Sequence, residues 1–214
     1  MHSILVLNPK GGSGKTTVAT NLAGYFASNG AKVALADFDR QRSSLDWLSK
    51  RPIGARKIDA VDAVGSTFRV AKNTEIVILD APSGTVGTEL THLLRKSQVV
   101  IIPVVPSPVD IRAAERFFEE LQKTRPLVRN DVRIASIACR FRTGGKNEEA
   151  LEDFLYDLKL PSGRRLPFLT MIRQRVNYLR SAERGLSIFE FAPLTTSTDR
   201  EYWRPLLRWL KKNT

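Results

Sequence analysis

The sequence contains only one cysteine, Cys139, among its 214 residues. A single cysteine excludes an internal disulfide and leaves no cysteine set for a structural zinc or an iron–sulfur cluster. No apolar run approaches the ~20 residues that cross a membrane as a helix. The first residues also lack the charged segment and apolar core of a secretory signal. We therefore expect a cytoplasmic protein.

Negative charge is scarce as well. The chain has 22 Asp and Glu against 34 Lys and Arg, a net charge of +12 with an isoelectric point near 10.2. Such an excess points to a polyanionic partner. Residues 162–214 alone hold eleven Lys and Arg but four Asp and Glu, a net charge of +7. The hydrophobic content of 42% suits one globular domain spanning residues 1–214.

Short apolar runs alternate with segments of helical periodicity along the chain. We predict strands at residues 4–7, 32–37, 57–61, 75–80, 99–104, 132–138 and 168–172. We predict helices at residues 18–27, 43–50, 65–71, 90–96, 111–124, 148–158 and 200–212. This alternation is typical of an α/β fold with a single, mostly parallel sheet and helices on both faces. In such folds ligands bind where the strands end.

A glycine-rich turn joins the first predicted strand to the first predicted helix. Glycines let backbone N–H groups close around an anion, and the helix N-terminus adds its positive dipole. The Lys15 ammonium suits the β- and γ-phosphates of a nucleotide, and the Thr16 hydroxyl suits Mg²⁺. A glycine turn with solvated lysines is the alternative. The predicted nucleotide-binding residues of this turn are Gly11, Gly12, Ser13, Gly14, Lys15, Thr16 and Thr17.

A second lysine, Lys10, stands directly ahead of the glycines. The run Lys-Gly-Gly-Ser-Gly-Lys-Thr at residues 10–16 resembles the deviant Walker A motif of the ParA/MinD superfamily of P-loop NTPases. The resemblance implies ATP and Mg²⁺ as cofactors, and slow, partner-stimulated hydrolysis of ATP to ADP and phosphate. It also implies an ATP-dependent homodimer in which Lys10 reaches the nucleotide of the other subunit. Lys10 and Lys15 are therefore candidate catalytic residues.

Carboxylates follow two of the predicted strands. Asp80 closes an apolar strand, a position that suits a Mg²⁺ ligand acting directly or through water, although a turn-capping role would also explain it. Its context, Asp-Ala-Pro-Ser-Gly, resembles the Asp-x-Pro-x-Gly of the same family. Asp39 lies in Asp37-x-Asp39-x-Gln41, which resembles the family's switch I. That resemblance implies that Asp39 orients the attacking water, with a water-mediated metal contact, although Arg40 replaces the usual proline.

A proline-rich stretch at residues 102–110 resembles the segment that lines the nucleotide and the dimer interface in small ParA proteins. This resemblance makes Pro106 a candidate nucleotide contact, and a turn made rigid by prolines is the alternative. The family usually has a polar residue for adenine after the sixth strand. Here that region reads Cys-Arg-Phe-Arg at residues 139–142, which leaves base recognition unassigned.

Basic residues near the C-terminus are suited to contact phosphates without reading bases. A solvated basic face is the alternative. The terminal helix carries Trp203, Leu206, Leu207 and Leu210 at helical spacing, which is compatible with a membrane-surface helix or with packing on the core. We favour packing plus DNA contact, because the basic excess extends well upstream of this helix. The candidate DNA-binding residues are Arg173, Arg175, Arg180, Arg184, Lys211 and Lys212.

The resemblance is strongest to small ParA-type partition ATPases that have no N-terminal helix-turn-helix domain. It implies a nucleoid-associated protein that binds nonspecific DNA with ATP bound and leaves it after hydrolysis. The cargo would be a plasmid, a chromosome region or a protein compartment, and a ParB-like or adaptor protein would stimulate hydrolysis. A MinD-like membrane-associated positioning ATPase and a metabolic enzyme on the same scaffold stay open as alternatives.

Overall fold

The computed structural model describes residues 1–65, 68–142 and 146–214. Within these ranges seven strands form one sheet in the order β3-β2-β4-β1-β5-β6-β7, and every strand pairing in it is parallel. The predicted α/β fold with one parallel sheet is confirmed. The strands are β1 His2–Val6, β2 Val33–Asp37, β3 Ile58–Asp62, β4 Ile76–Asp80, β5 Val99–Val104, β6 Arg133–Phe141 and β7 Phe168–Arg173.

Helices follow most of the strands. They are α1 Lys15–Ser28, α2 Ser43–Ser49, α3 Gly87–Arg95, α4 Pro108–Gln122, α5 Arg125–Val128, α6 Lys146–Asp157, α7 Val176–Ala182, α8 Ser197–Glu201 and α9 Arg204–Asn213. The predicted terminal helix is two helices, because Pro205 lacks an N–H and starts a new helix in the first turn of α9. Helix α7 is not among the predicted helices, although Arg180 within it and Arg175 at its N-cap are candidate DNA-binding residues.

The helix predicted at residues 65–71 is wrong where the structure describes it. Residues 65 and 68–71 are not helical, and residues 66 and 67 lie outside the described residues. Gly65 has a φ of 62°, a left-handed conformation that does not propagate a helix. Phe68 and Val70 pack on the core from an irregular segment instead. Their apolar spacing therefore reflected burial without a helix.

The two faces of the sheet bury separate cores. Alternate residues of β1 face opposite sides, so Ile4 and Leu5 belong to different clusters. Helices α3 to α6 cover the Leu5 face, and α1, α2 and α9 cover the Ile4 face. Both faces of the sheet are thus covered by helices, as the alternating pattern predicts.

The terminal helix packs on the core. Trp203, Leu206 and Leu210 are fully buried, and Leu207 is partly buried against the same cluster. Burying such a side chain contributes roughly 1.5–3 kcal/mol. The apolar stripe of α9 therefore faces the sheet, and its basic residues Lys211 and Lys212 are exposed. In the described ranges we find no helix with the length and apolar character needed to cross a bilayer.

The segment that follows α7 is fixed to the end of α2. Arg51 pairs with Glu190 in a nearly buried ion pair, and its guanidinium also donates to the Gly185 carbonyl oxygen at 3.0 Å. Gly185 has a φ of 62°, and a Cβ there would lie 2.5 Å from the Lys50 carbonyl carbon and closer still to the Arg51 nitrogen. This contact joins regions far apart in the chain and leaves no room for a side chain.

Gly185→Ala is expected to lower the free energy of unfolding by about 3 kcal/mol, since it combines left-handed backbone strain with overpacking against backbone. Urea unfolding measures the change. Gly163→Ala is the matched control, because Gly163 has a φ of 78° with open space around it. The control should lose only about 1 kcal/mol of backbone strain. Equal losses in the two variants would contradict the tight contact at Gly185.

Candidate nucleotide site

The phosphate-binding loop connects the end of β1 to the start of α1. Gly12 and Gly14 have φ values of 77° and 94°, so both take the left-handed conformation that favours glycine. Asn8 holds the loop in place: its side-chain amide donates to the Pro103 carbonyl oxygen at 2.7 Å and accepts from the Lys10 N–H at 2.8 Å. The predicted turn is thus a preformed loop that ends at a helix N-terminus, an arrangement that attracts anions.

The Lys15 ammonium lies inside this loop. The residue is 6% exposed, and its Nζ donates to the Lys10 carbonyl oxygen at 3.1 Å and to the Ser83 hydroxyl at 3.4 Å. Burial lowers the pKa of Lys15, while the nearby carboxylates of Asp80 and Asp39 act to raise it. A buried cation beside free backbone N–H groups is an arrangement that binds a phosphate group.

Asp80 ends β4 next to the loop and is 1% exposed. Burial raises its pKa to about 7, with a further rise from the neighbouring Asp37 and an opposing effect from a hydrogen bond with the Thr16 side chain. Its Oδ1 atom is buried and has no hydrogen-bond partner in the described part of the chain. A hydroxyl next to a buried, under-coordinated carboxylate is a donor set that fits Mg²⁺. Thr16 and Asp80 would hold the ion.

The raised pKa of Asp80 predicts how the nucleotide-free protein responds to pH. Folding keeps Asp80 protonated up to about pH 7, whereas the unfolded chain ionises near 3.8. Stability is therefore lost as pH rises through this window. Asp80→Asn removes the cost of ionising a buried carboxyl group. The free energy of unfolding of this variant, relative to that of the wild-type protein, should therefore rise by about 2–3 kcal/mol between pH 5 and pH 8. Parallel urea-stability curves for the two proteins over this range would contradict the assignment.

Asp39 connects the loop after β2 to the loop after β4. Its Oδ1 accepts from the Gln41 N–H at 3.0 Å, and its Oδ2 accepts from the Ser83 N–H at 3.2 Å. The same Ser83 contacts Lys15 through its hydroxyl. Ser83 is therefore a further site residue that was not predicted, and its place in the Asp-Ala-Pro-Ser-Gly run is the sequence feature that indicates it.

Asp37 is buried and structural. Its Oδ2 accepts from the Ser44 N–H at 2.9 Å and hydroxyl at 2.6 Å, and its Oδ1 accepts from the Asp39 N–H at 2.9 Å. These bonds fix the turn between β2 and α2. Arg40, which stands where the family usually has a proline, is exposed at this turn. The hydrogen bonds of the Asp37 carboxylate hold the turn in its place.

A family model described as the CobQ/CobB/MinD/ParA nucleotide binding domain matches residues 4–188. The chain belongs to this family. The match includes the phosphate-binding loop and both carboxylates, Asp39 and Asp80, and it confirms the ParA/MinD resemblance.

Similar proteins agree with this membership. A maintenance of carboxysome distribution protein A from Halothiobacillus neapolitanus is 26% identical over 194 residues, 88% of this chain and 87% of that protein. The chromosome-partitioning ATPase Soj of Thermus thermophilus is 25% identical over 226 residues, 90% of this chain and 89% of Soj. The crystal structure of a plasmid partition protein from Borrelia burgdorferi B31 bound to AMPPNP has a TM-score of 0.72 at 20% identity, with 99% of each chain covered.

The candidate DNA-binding residues of this ParA/MinD family member fall into two groups. Arg173 ends β7 at the carboxyl edge of the sheet, and Arg175, Arg180 and Arg184 follow it on and around α7. Lys211 and Lys212 lie near the end of α9, where the neighbouring Asn213 and the first residues of β6 line one cavity at the opposite edge of the sheet. The structure therefore does not bring the six residues together.

The four arginines differ in how firmly they are held. Arg175 lies 3.9 Å from the buried carboxylate of Asp199, whereas the guanidinium groups of Arg173 and Arg184 lie over the rings of Tyr202 and Phe191 at 5.0 and 5.3 Å. Arg175, Arg180 and Arg184 are exposed, and Arg173 is half-buried. Pro106 is half-buried in the loop after β5, on the same edge as the phosphate-binding loop.

Proposed function

We propose that residues 1–214 act as one ATPase domain that positions a large cargo in the cytoplasm. The protein binds Mg²⁺ and ATP, dimerises, adheres to nonspecific DNA, and leaves the DNA when ATP is hydrolysed to ADP and phosphate. The observation that carries this proposal is the buried Lys15 ammonium, which lies between the Thr16–Asp80 pair and the Asp39–Ser83 contact. AMPPNP in the Borrelia structure supports ATP as the ligand.

Each side chain of the site has a distinct task in the proposal. The loop N–H groups and Lys15 bind the phosphates, and Thr16 and Asp80 hold Mg²⁺, which neutralises phosphate charge when bound. Asp39 holds the attacking water in line, a task of positioning that does not require a strong base. Its contact with Ser83 keeps that carboxylate against the loop that follows β4.

We propose that the exposed arginines around α7 form the DNA-binding surface. The lysines of α9 would contact DNA separately. Arg180 and Arg184 are exposed. Their guanidinium groups are therefore suited to contact DNA phosphates, which carry no sequence information. Dimerisation doubles the number of such contacts, so affinity should depend steeply on salt. The protein would then be nucleoid-associated whenever ATP is bound.

The cargo is proposed to be a large object, as in the similar proteins, whose names refer to carboxysome distribution in one case and chromosome partitioning in another. These names favour a positioning function over small-molecule synthesis. A ParB-like or adaptor protein would stimulate hydrolysis. The burial of Trp203, Leu206 and Leu210 disfavours the membrane alternative, because the stripe that would enter the lipid is packed on the sheet.

Lys10→Ala tests the dimer. The Lys10 side chain is half-exposed, and in the described ranges its ammonium makes no hydrogen bond or ion pair, as suits a group that acts on a second subunit. The variant should bind ATP within about threefold of wild type and yet remain monomeric with ATP, because phosphate repulsion between the two subunits is no longer neutralised. Light scattering coupled to size-exclusion chromatography measures the mass.

Lys72→Ala is the matched control for Lys10→Ala, because Lys72 is an exposed lysine in a turn ahead of β4. The control should dimerise with ATP as wild type does. An ATP-dependent dimer of normal stability in Lys10→Ala would contradict the proposed role of Lys10.

A further inference from the structure

A groove of about 890 Å³ separates α3 from the junction of α4 and α5. It runs along α3 from its first residue, Gly87, to its end and reaches the end of α4. None of its lining residues belongs to the nucleotide site. Thr88 and Thr91 of α3 also line it, and the Thr91 hydroxyl donates to the Gly87 carbonyl oxygen at 3.2 Å. The groove is therefore a second concave surface on the molecule, distinct from the phosphate-binding loop.

The groove is lined by basic side chains on both sides. They are His92, Arg95 and Lys96 on the α3 side and Lys123 and Arg125 on the α4–α5 side. Arg95, Lys123 and Arg125 are exposed, and no carboxylate of the described residues lies within ion-pairing distance of them. Like charges that face each other across a groove repel, and an anionic occupant relieves that repulsion.

The acidic residue of the groove is already engaged. Glu120 accepts a hydrogen bond from the Gly87 N–H at 2.8 Å. Lys96 is also partly engaged, since its ammonium lies 5.7 Å from the centre of the Phe68 ring. Arg95, Lys123 and Arg125 thus remain as the cations that are available to a ligand.

We propose that this groove binds an acidic segment of a partner protein. A channel between two helices with cations on both sides can receive a single peptide chain, whose carboxylates pair with either side. A DNA duplex is bulkier than a single peptide chain, and the exposed arginines around α7 suit its phosphates better than a channel between two helices does.

The position of the groove connects this partner to ATP hydrolysis, and this step rests on the proposed function. Gly87 lines the groove and lies three residues after Gly84, whose N–H donates to the Pro9 carbonyl oxygen of the phosphate-binding loop at 2.7 Å. Ser83, which directly precedes Gly84, contacts both Lys15 and Asp39. A segment seated against the start of α3 therefore reaches the catalytic loop through four residues of backbone.

The test uses a fluorescein-labelled peptide of eight glutamates, with an eight-glutamine peptide as the neutral probe, at about 0.15 M salt. Arg95→Glu/Arg125→Glu should weaken binding of the glutamate peptide at least tenfold. Arg204→Glu/Arg208→Glu changes the same net charge on exposed residues of α9 and should leave the affinity within twofold. If Arg95→Glu/Arg125→Glu fails to fold, Arg95→Ala/Arg125→Ala takes its place in the test. This milder variant should also weaken binding of the glutamate peptide.

Two results would overturn the inference. Equal peptide affinity in the groove and α9 variants would show that only net charge matters. Loss of ATP-dependent DNA retention in the groove variant, in proportion to its loss of peptide binding, would make the groove a DNA surface. Failure of the proposed function itself has a different signature, because the wild-type protein would then retain DNA equally with and without ATP while peptide binding stayed dependent on Arg95 and Arg125.

Discussion

Lys15→Ala is expected to lower the affinity for ATP by at least about 30-fold. The Lys15 ammonium is buried within the glycine loop and is the only side-chain cation of the described residues that hydrogen-bonds inside it. Removing one partner of a buried, charge-assisted contact typically costs 2–5 kcal/mol. Such a loss corresponds to roughly 30- to 4,000-fold in affinity. Calorimetric titration with ATP and Mg²⁺ measures the change.

The same variant should remain folded. Lys15 is buried with an unfavourable desolvation cost, so its removal relieves part of that cost while the loop stays anchored through Asn8. Lys32→Ala is the matched control, because Lys32 is an exposed lysine just ahead of β2. ATP affinity within threefold of wild type for Lys15→Ala would show that the nucleotide binds elsewhere.

Asp39→Ala is expected to slow ATP hydrolysis about 100- to 1,000-fold while ATP binding is largely retained. The carboxylate is half-exposed at the site and connects the loops after β2 and β4. Without it the attacking water loses its orientation, and positioning of this kind accounts for factors of that size. The variant should therefore accumulate as a DNA-bound dimer. Phosphate release and DNA retention, measured in the same sample, check both parts.

Two further variants separate chemistry from structure at this position. Asp39→Asn keeps an oxygen that can accept from the Ser83 N–H, so it should fold like wild type and still hydrolyse slowly. Asp46→Ala removes an exposed acidic residue of α2 and should hydrolyse ATP normally. Normal turnover by Asp39→Ala would make the assigned role of Asp39 wrong, even if nucleotide binding through Lys15 is confirmed.

Local sequence features were sufficient to predict the sheet and the central loop. The central strands β2, β4 and β5 are buried on both faces, so their apolar residues form nearly continuous runs, as at 76–79 before Asp80. The glycines at positions 12 and 14 take the left-handed conformation that their residue type allows. Asp80 ends β4, and Asp39 lies just after the neighbouring strand β2. The register that places Asp37 opposite Asp80 brings the two loops together.

Contacts between distant parts of the chain could not be predicted in this way. Trp47 donates to the Leu186 carbonyl oxygen at 3.4 Å, and the Arg51–Glu190 pair also joins α2 to the C-terminal region, across 139 residues in each case. No local spacing encodes such pairs. For the same reason the charge pattern of residues 173–212 did not indicate that its arginines and lysines lie at opposite edges of the sheet.

Control of DNA adhesion by ATP is the central element of the proposed function. The most direct measurement is retention of a random-sequence duplex by the wild-type protein without nucleotide, with ADP and with ATP, over a series of salt concentrations. We expect the protein to retain DNA only in the ATP state. The logarithm of the DNA affinity should also fall more steeply with the logarithm of the salt concentration in that state than in the other two, because two arginine surfaces then act together. Equal retention and equal slopes in all three states would contradict the account.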